Sequence, residues 1–182
     1  MGIFYFIGRK IRKVLCGSLL QVGGIFTVEV FDKDGNLRYK DTAQNGITNE
    51  GHNLILDVMF GTVAKPSWYV GLIRDDNYTG LNAADTMASH SGWEEGDEYT
   101  ETTRQSITFN AAASKSISNG SPYQRCYFTI NATQTMKGAF LTDSSTKSGT
   151  AGKLFCTALF DGGNIVVYSG DVLKVTYTVS SA

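Results

Sequence analysis

The sequence predicts a mainly β protein, a single jelly-roll or β-sandwich domain of about eight or nine strands with one short helix. Two observations carry that prediction. Runs rich in β-branched and aromatic residues follow one another at short spacing, separated by turns of Gly, Asn, Asp and Ser. Only one stretch, about residues 48–60, repeats its apolar residues at helical period. At 182 residues, with 42% hydrophobic and 18% charged content, the chain is long enough to bury a core without disulfide or metal staples. The expected organisation is an extended N-terminal arm over residues 1–24 and the β domain over 25–182.

The arm is apolar from Met1 to Ile7, basic at Arg9, Lys10, Arg12 and Lys13, and apolar again from Val14 to Val22. A secretory signal places its charge before the apolar core and a small-residue cleavage site after it. The second apolar run is interrupted by Cys16, Gly17, Ser18 and Gln21, and it falls short of the ~20 residues that span a bilayer. Phe6 stands where a myristoylation pattern needs Ser or Thr. The segment therefore reads as an arm that docks on a partner, with an interfacial membrane helix as the alternative. Phe4, Phe6 and Ile7 are candidate apolar anchors, and the four basic residues are candidate contacts to acidic groups.

In chain order, Ile25–Phe31 is a strand, Asp32–Asn36 a turn, and Leu37–Ala43 the returning strand of a hairpin. The turn has acidic and amide oxygens, but its glycine comes too early for a calcium loop, and Ala43 occupies the place of the terminal bidentate acid. Thr48 or Asn49 caps the helix, because a short side-chain oxygen accepts an unpaired first-turn amide hydrogen. Leu54, Ile55, Val58 and Met59 form its apolar face, Gly61 stops it, and Trp68–Ile73 follows as a buried strand.

The polar segment from Arg74 to Gly96 is long enough to be read as an interaction surface. It ends at Trp93 and an acidic group, Glu94, Glu95, Asp97 and Glu98. These charges either stay solvated or meet basic groups on a partner or on the Arg9–Lys13 arm. Strands follow at Arg104–Asn110, Tyr123–Ile130, Thr135–Leu141, Lys153–Phe160, Ile165–Tyr168 and Val172–Val179, with loops at Ala111–Pro122 and Asp143–Gly152. In the last strand Val175, Tyr177 and Val179 stand opposite Lys174, Thr176 and Thr178, a clean alternation.

A formal net charge of −1 gives no basic face for nucleic acid. Cys16, Cys126 and Cys156 have no metal-like spacing. The last two lie in apolar runs and are expected as buried, reduced thiols of a protein assembled in a cytosol. His52 and His90 have no second ligand near in sequence. There is no glycine-rich phosphate cradle and no Gly-x-Ser-x-Gly elbow. Adjacent acids such as Asp75 and Asp76 carry no information about the separation that glycosidic chemistry needs. No catalytic, cofactor-binding or metal-binding residue is assigned, and the chain is not read as an enzyme.

Over Asn45-Gly46-Ile47-Thr48-Asn49-Glu50-Gly51, continued by the helix and Ser67–Ile73, the chain resembles a group of small virion proteins of tailed bacteriophages. In that group the pattern is followed by Ala83-Ala84-Asp85-Thr86-Met87-Ala88-Ser89-His90-Ser91-Gly92-Trp93 and by Gly138-Ala139-Phe140-Leu141. The resemblance runs from about Phe31 to the C-terminus and leaves the arm outside it. It implies a head decoration, or cement, protein of jelly-roll type. Such a protein sits on the capsid exterior as a dimer or trimer, tying capsomers of the major capsid protein together without catalytic residues, nucleic acid or membrane. Two alternatives share the β body: a tail, neck or fibre component, and a carbohydrate-binding jelly roll in which Trp68, Tyr69, Trp93 or Tyr99 stacks on sugars.

Overall fold

The computed structural model describes residues 21–121 and 124–182. Its elements run β1 (Val22–Phe31), β2 (Leu37–Gln44), β3 (Gly46–Ile47), α1 (Asn49–Met59), β4 (Trp68–Arg74), β5 (Glu94–Gly96), β6 (Gln105–Ile107), β7 (Ser116–Ser118), β8 (Cys126–Thr129), β9 (Gln134–Thr142), β10 (Leu154–Leu159), β11 (Ile165–Val167) and β12 (Val172–Ser181). They build two antiparallel sheets in a β-sandwich-like arrangement. In the first sheet β1 pairs with β12 from Val22 opposite Ser181 to Phe31 opposite Val172. β2 lies on the other edge of β1, and β7 and β8 share the far edge of β12. In the second sheet β9 is flanked by β4 on one edge and by β10 and β11 on the other. β5 and β6 share the outer edge of β4, and β3 closes the edge of β10.

Alternation places Phe26, Val28 and Val30 of β1 and Leu173, Val175 and Tyr177 of β12 on the inner face of the first sheet. They meet Val70, Leu72, Ala139 and Leu141 from the second sheet. The second sheet is also covered on its outer face, where Ile73, Phe140 and Leu154 pack with Met87 and Trp93 from the segment between β4 and β5. Burial on both faces explains why β4 reads as the unbroken apolar run Trp68–Ile73 rather than as an alternation. Gly71 sits opposite Phe140, and a Cβ there would lie 2.2 Å from the ring. A glycine is what lets that ring lie across β4.

Thr48 caps α1, its hydroxyl oxygen accepting from the Gly51 N–H at 3.0 Å. The cap is tied to β10 by the bond from the Thr48 N–H to the Phe155 carbonyl, 3.0 Å. A Cβ on Gly51 would come within 2.1 Å of that carbonyl, so the approach of helix to strand requires glycine. Among the described residues no helix is long and apolar enough to cross a membrane.

Among the described residues there are twelve strands rather than eight or nine, because Gly46–Ile47, Glu94–Gly96 and Ser116–Ser118 form short ones that lack an apolar alternation. The Ala182 N–H donates to the Gln21 carbonyl at 3.0 Å, and Val22–Gly24 are part of β1. The turn at Asp32 is closed by its own carboxylate, whose Oδ1 accepts from the backbone of Asp34 and Asn36, each at 2.9 Å. Cys126 and Cys156 are buried and free.

Lys174, on the face of β12 opposite Val175 and Tyr177, is buried. Glu29 stands opposite both Lys174 on β12 and Lys40 on β2, and it pairs with both. The Lys174 ammonium also lies 4.7 Å from the centre of the Phe31 ring. The hydrogen bond from Lys174 holds the Glu29 carboxyl below its ordinary value; burial pushes the other way, and Lys40 adds to the depression. A depressed folded value means that this stabilisation is present above the unfolded pKa and is lost as pH falls through the folded one. Glu29→Gln should therefore cost about 1–2 kcal/mol at pH 7. The difference from the parent should shrink as the pH drops below 4.5, which thermal melts across that range will read.

Candidate functional site

The candidate site lies where β4 and β5 end and the segments 75–93 and 143–152 close over the second sheet. It is a polar cleft of about 570 Å³ whose lining includes Arg74, His90, Glu94, Asp97, Ser148 and Thr150. Backbone and side-chain bonds fold segment 75–93 over the sheet. The N–H groups of Thr79 and Gly80 both donate to the Gly92 carbonyl, at 2.8 and 3.1 Å. The Trp93 indole donates to Asp85 Oδ2 at 3.0 Å, and the same oxygen accepts from the Asn82 N–H at 2.9 Å. The Trp93 ring lies 5.1 Å from Phe140 and 4.1 Å from His90, which is stacked on it. His90 Nδ1 sits 2.9 Å from the Thr86 carbonyl.

The acidic group is neutralised from within. Arg74, opposite Glu94 in the β4–β5 register, pairs with Glu94 and, at 3.4 Å, with Glu98. Arg104 is fully buried and grips Glu95 with two bonds, Nε to Oε1 at 3.0 Å and Nη2 to Oε2 at 2.8 Å. Its remaining donors reach the carbonyls of Ser144 and Gly149, at 3.1 and 2.9 Å. Glu95 and Asp97 in turn accept from the Ser148 N–H and hydroxyl, at 2.9 and 2.7 Å. Lys147 donates to the carbonyls of Asp97 and Tyr99 and lies over the Tyr99 ring. One buried guanidinium and one flanking lysine thus hold loop 143–152 against β5.

The chemistry available follows from these bonds. The hydrogen bond from Arg74 holds the Glu94 carboxyl below the usual range, and Asn77 adds to it. Glu29, Asp32 and Asp75 are shifted in the same direction, each by hydrogen bonds to its anionic form. No group of three or more His, Cys, Asp or Glu side chains among the described residues could hold a metal ion.

Of the residues singled out from the sequence, Trp93, Glu94 and Glu95 are brought together at this cleft. Phe4, Phe6, Ile7, Arg9, Lys10, Arg12 and Lys13 lie outside the described residues. Trp93 is only 2% exposed and Tyr99 is fully buried, so neither presents a face on which a sugar could stack. Sequence reading missed Arg74 and Arg104, the partners that organise the acids. Its one available signal was that each is a lone cation beside strand-forming residues. It also missed the exposed apolar end of α1, where Leu56, Met59 and Phe60 face solvent. No family model matches the chain, and no curated protein matches it in sequence.

Arg104→Met should destabilise the protein by about 3–5 kcal/mol, because it leaves Glu95 buried without its counter-charge. Glu94→Gln, at a half-exposed pair, should cost under about 1 kcal/mol. Urea denaturation of the two variants tests the contrast, and limited trypsin digestion should cut at Lys147 first in the Arg104 variant.

Proposed function

We propose that the chain is a structural protein of a tailed-bacteriophage particle, which binds the outside of the capsid and strengthens contacts between capsomers of the major capsid protein. The observation that supports this reading best is spatial. The three motif strings that carry the resemblance, far apart in sequence, belong to one packed unit. The Asn49 N–H, in the helix-entry motif, donates to the carbonyl of Ala83, the first residue of the second string, at 2.8 Å. Trp93, the last residue of that string, packs on Phe140 of the third. Phe140 in turn lies across Gly71, in the strand that follows the helix. Three strings that form one structural unit are better explained as a shared architecture than as three separate coincidences.

The physical character of the body agrees with such a role. Its long segments are held down by buried aromatic and arginine contacts, so it can act as a rigid brace. The arm then serves as the tether, with Phe4, Phe6 and Ile7 as anchors and Arg9, Lys10, Arg12 and Lys13 against acidic groups of the shell. In this reading the protein is assembled in the host cytoplasm and works as a dimer or trimer on the capsid exterior.

Imaging of purified particles tests the proposal. Copies arrayed over the head in proportion to the capsomers are expected, and density confined to the tail, neck or fibres would replace this reading with the tail one. Deleting residues 1–20 stops short of Val22, which pairs with Ser181. The truncated protein should keep the circular dichroism of the β body and lose its place on the shell. Full occupancy after the deletion would refute the tether.

A further inference from the structure

We propose that Asn119-Gly120 is a modification site gated by folding: its amide is protected while the first sheet is closed, and it deamidates once that sheet opens, after which the sheet cannot close again. The outer edge of β12 is shared by two short strands, β8 along Val172–Val175 and β7 along Thr178–Ser180. Thr176 and Tyr177 lie in the gap between them, and Asn119 fills it. The Asn119 N–H donates to the Tyr177 carbonyl at 3.3 Å, and its Oδ1 accepts from the Tyr177 N–H at 2.6 Å. Its Nδ2 donates to the carbonyls of Gln124 and Val175, at 3.1 and 3.5 Å. The residue is fully buried. One side chain thus satisfies the backbone groups that a continuous strand would have paired.

The same asparagine is followed by glycine, the neighbour least able to shield its amide, because no Cβ stands in the way of ring closure. The Gly120 nitrogen, losing its proton to hydroxide, attacks Asn119 Cγ; an N–Cγ bond forms, the Cγ–Nδ2 bond breaks and ammonia leaves. Water then opens the five-membered ring. Cleavage of the new N–Cγ bond gives aspartate, and cleavage of the original peptide bond gives isoaspartate. In the closed sheet this attack is blocked, because both ends of the Asn119 amide are held by the backbone of β12 and of Gln124.

Either product spoils the gap. An aspartate still accepts from the Tyr177 N–H, but it turns a second, charged oxygen toward two carbonyl oxygens in a fully buried position. An isoaspartate adds a methylene to the main chain and draws the N–H at this position away from Tyr177. Asn45-Gly46, the other Asn-Gly pair, is an internal comparison. A carboxylate at position 45 keeps both neighbours, accepting from the Gly24 N–H and from the Tyr177 hydroxyl. The inference rests on the fold alone and holds for any role of the protein.

To test it, the full-length chain is held in alkaline buffer with and without denaturing urea, and peptide mapping by mass spectrometry reads conversion at each Asn-Gly pair. Without urea, Asn119 should convert more slowly by about tenfold or more, since the reaction waits on local opening. After urea is removed, the fraction of chains that regain the circular dichroism of the β body should fall in step with conversion at Asn119. Gly120→Ala should preserve that fraction: φ there is not positive, and a Cβ would meet only the Ser118 hydroxyl, at 3.3 Å. Asn119→Asp, which makes one product directly, should melt well below the parent or fail to fold, and Asn45→Asp should stay closer to the parent. Equal conversion at Asn119 with and without urea would overturn the proposal. So would full refolding of chains deamidated at Asn119, or an Asn119→Asp protein as stable as the parent.

Discussion

Asn45 stands where the chain leaves the first sheet for the second, and its amide is bonded on both sides. Its Oδ1 accepts from the Gly24 N–H on β1, and its Nδ2 donates to the Tyr177 hydroxyl on β12, at 3.0 Å. One residue later Gly46–Ile47 is already paired with β10. The Tyr177 hydroxyl also lies 3.5 Å from Cys156 Sγ on β10, so the polar contacts cross from one sheet to the other. A slip of one residue at this corner would shift Gly46–Ile47 out of its register with Thr157 and Cys156 on β10. It would also move Thr48 off the carbonyls of Leu154 and Phe155 that seat the helix.

From that corner the second sheet acquires its unusual status as a layer buried on both faces. One face meets the first sheet; the other is covered by a segment with little regular structure. Such a segment covers a sheet stably only if its own polar groups are satisfied, and here the Gly92 carbonyl and the Asp85 carboxylate satisfy several at once. The same logic operates at Arg104, each of whose three guanidinium nitrogens donates to a protein acceptor in a fully buried position. The result is a body whose longest loops are parts of the core. That is the property the proposed bracing role would call on.

How much of this could be read from residues depends on whether the signal was local. The cap at Thr48, the end of α1 before Gly61 and the alternation of Val175 and Tyr177 are set by neighbouring residues, and they read correctly. The burial of Lys174 was not legible because it depends on Glu29, which lies far away in sequence and directly opposite in the sheet. Glu94–Gly96 looked like a solvated acidic loop because nothing in its own composition announces Arg74 and Arg104. The covering role of segment 75–93 was hidden because Tyr78, Leu81, Met87 and Trp93 follow no period. Their spacing is dictated by an irregular backbone lying over Phe140. The clue that was present, a Trp and a Met in an otherwise polar stretch, shows burial without showing against what.

The placement of charge and apolar surface is inverted relative to the sequence reading, and this bears on where binding energy can reside. The acids expected to meet a partner are turned toward Arg74 and Arg104, so recruiting them would first require breaking internal pairs. For Glu95 that means uncovering a buried guanidinium, a cost of several kcal/mol before any gain. The apolar end of α1 is partly exposed, with Met59 at 57% and the C-cap Phe60 at 75%. Covering side chains of this size yields about 1.5–3 kcal/mol each, and no existing contact has to be broken first. Association at the α1 end is therefore favoured energetically over association at the acidic cleft.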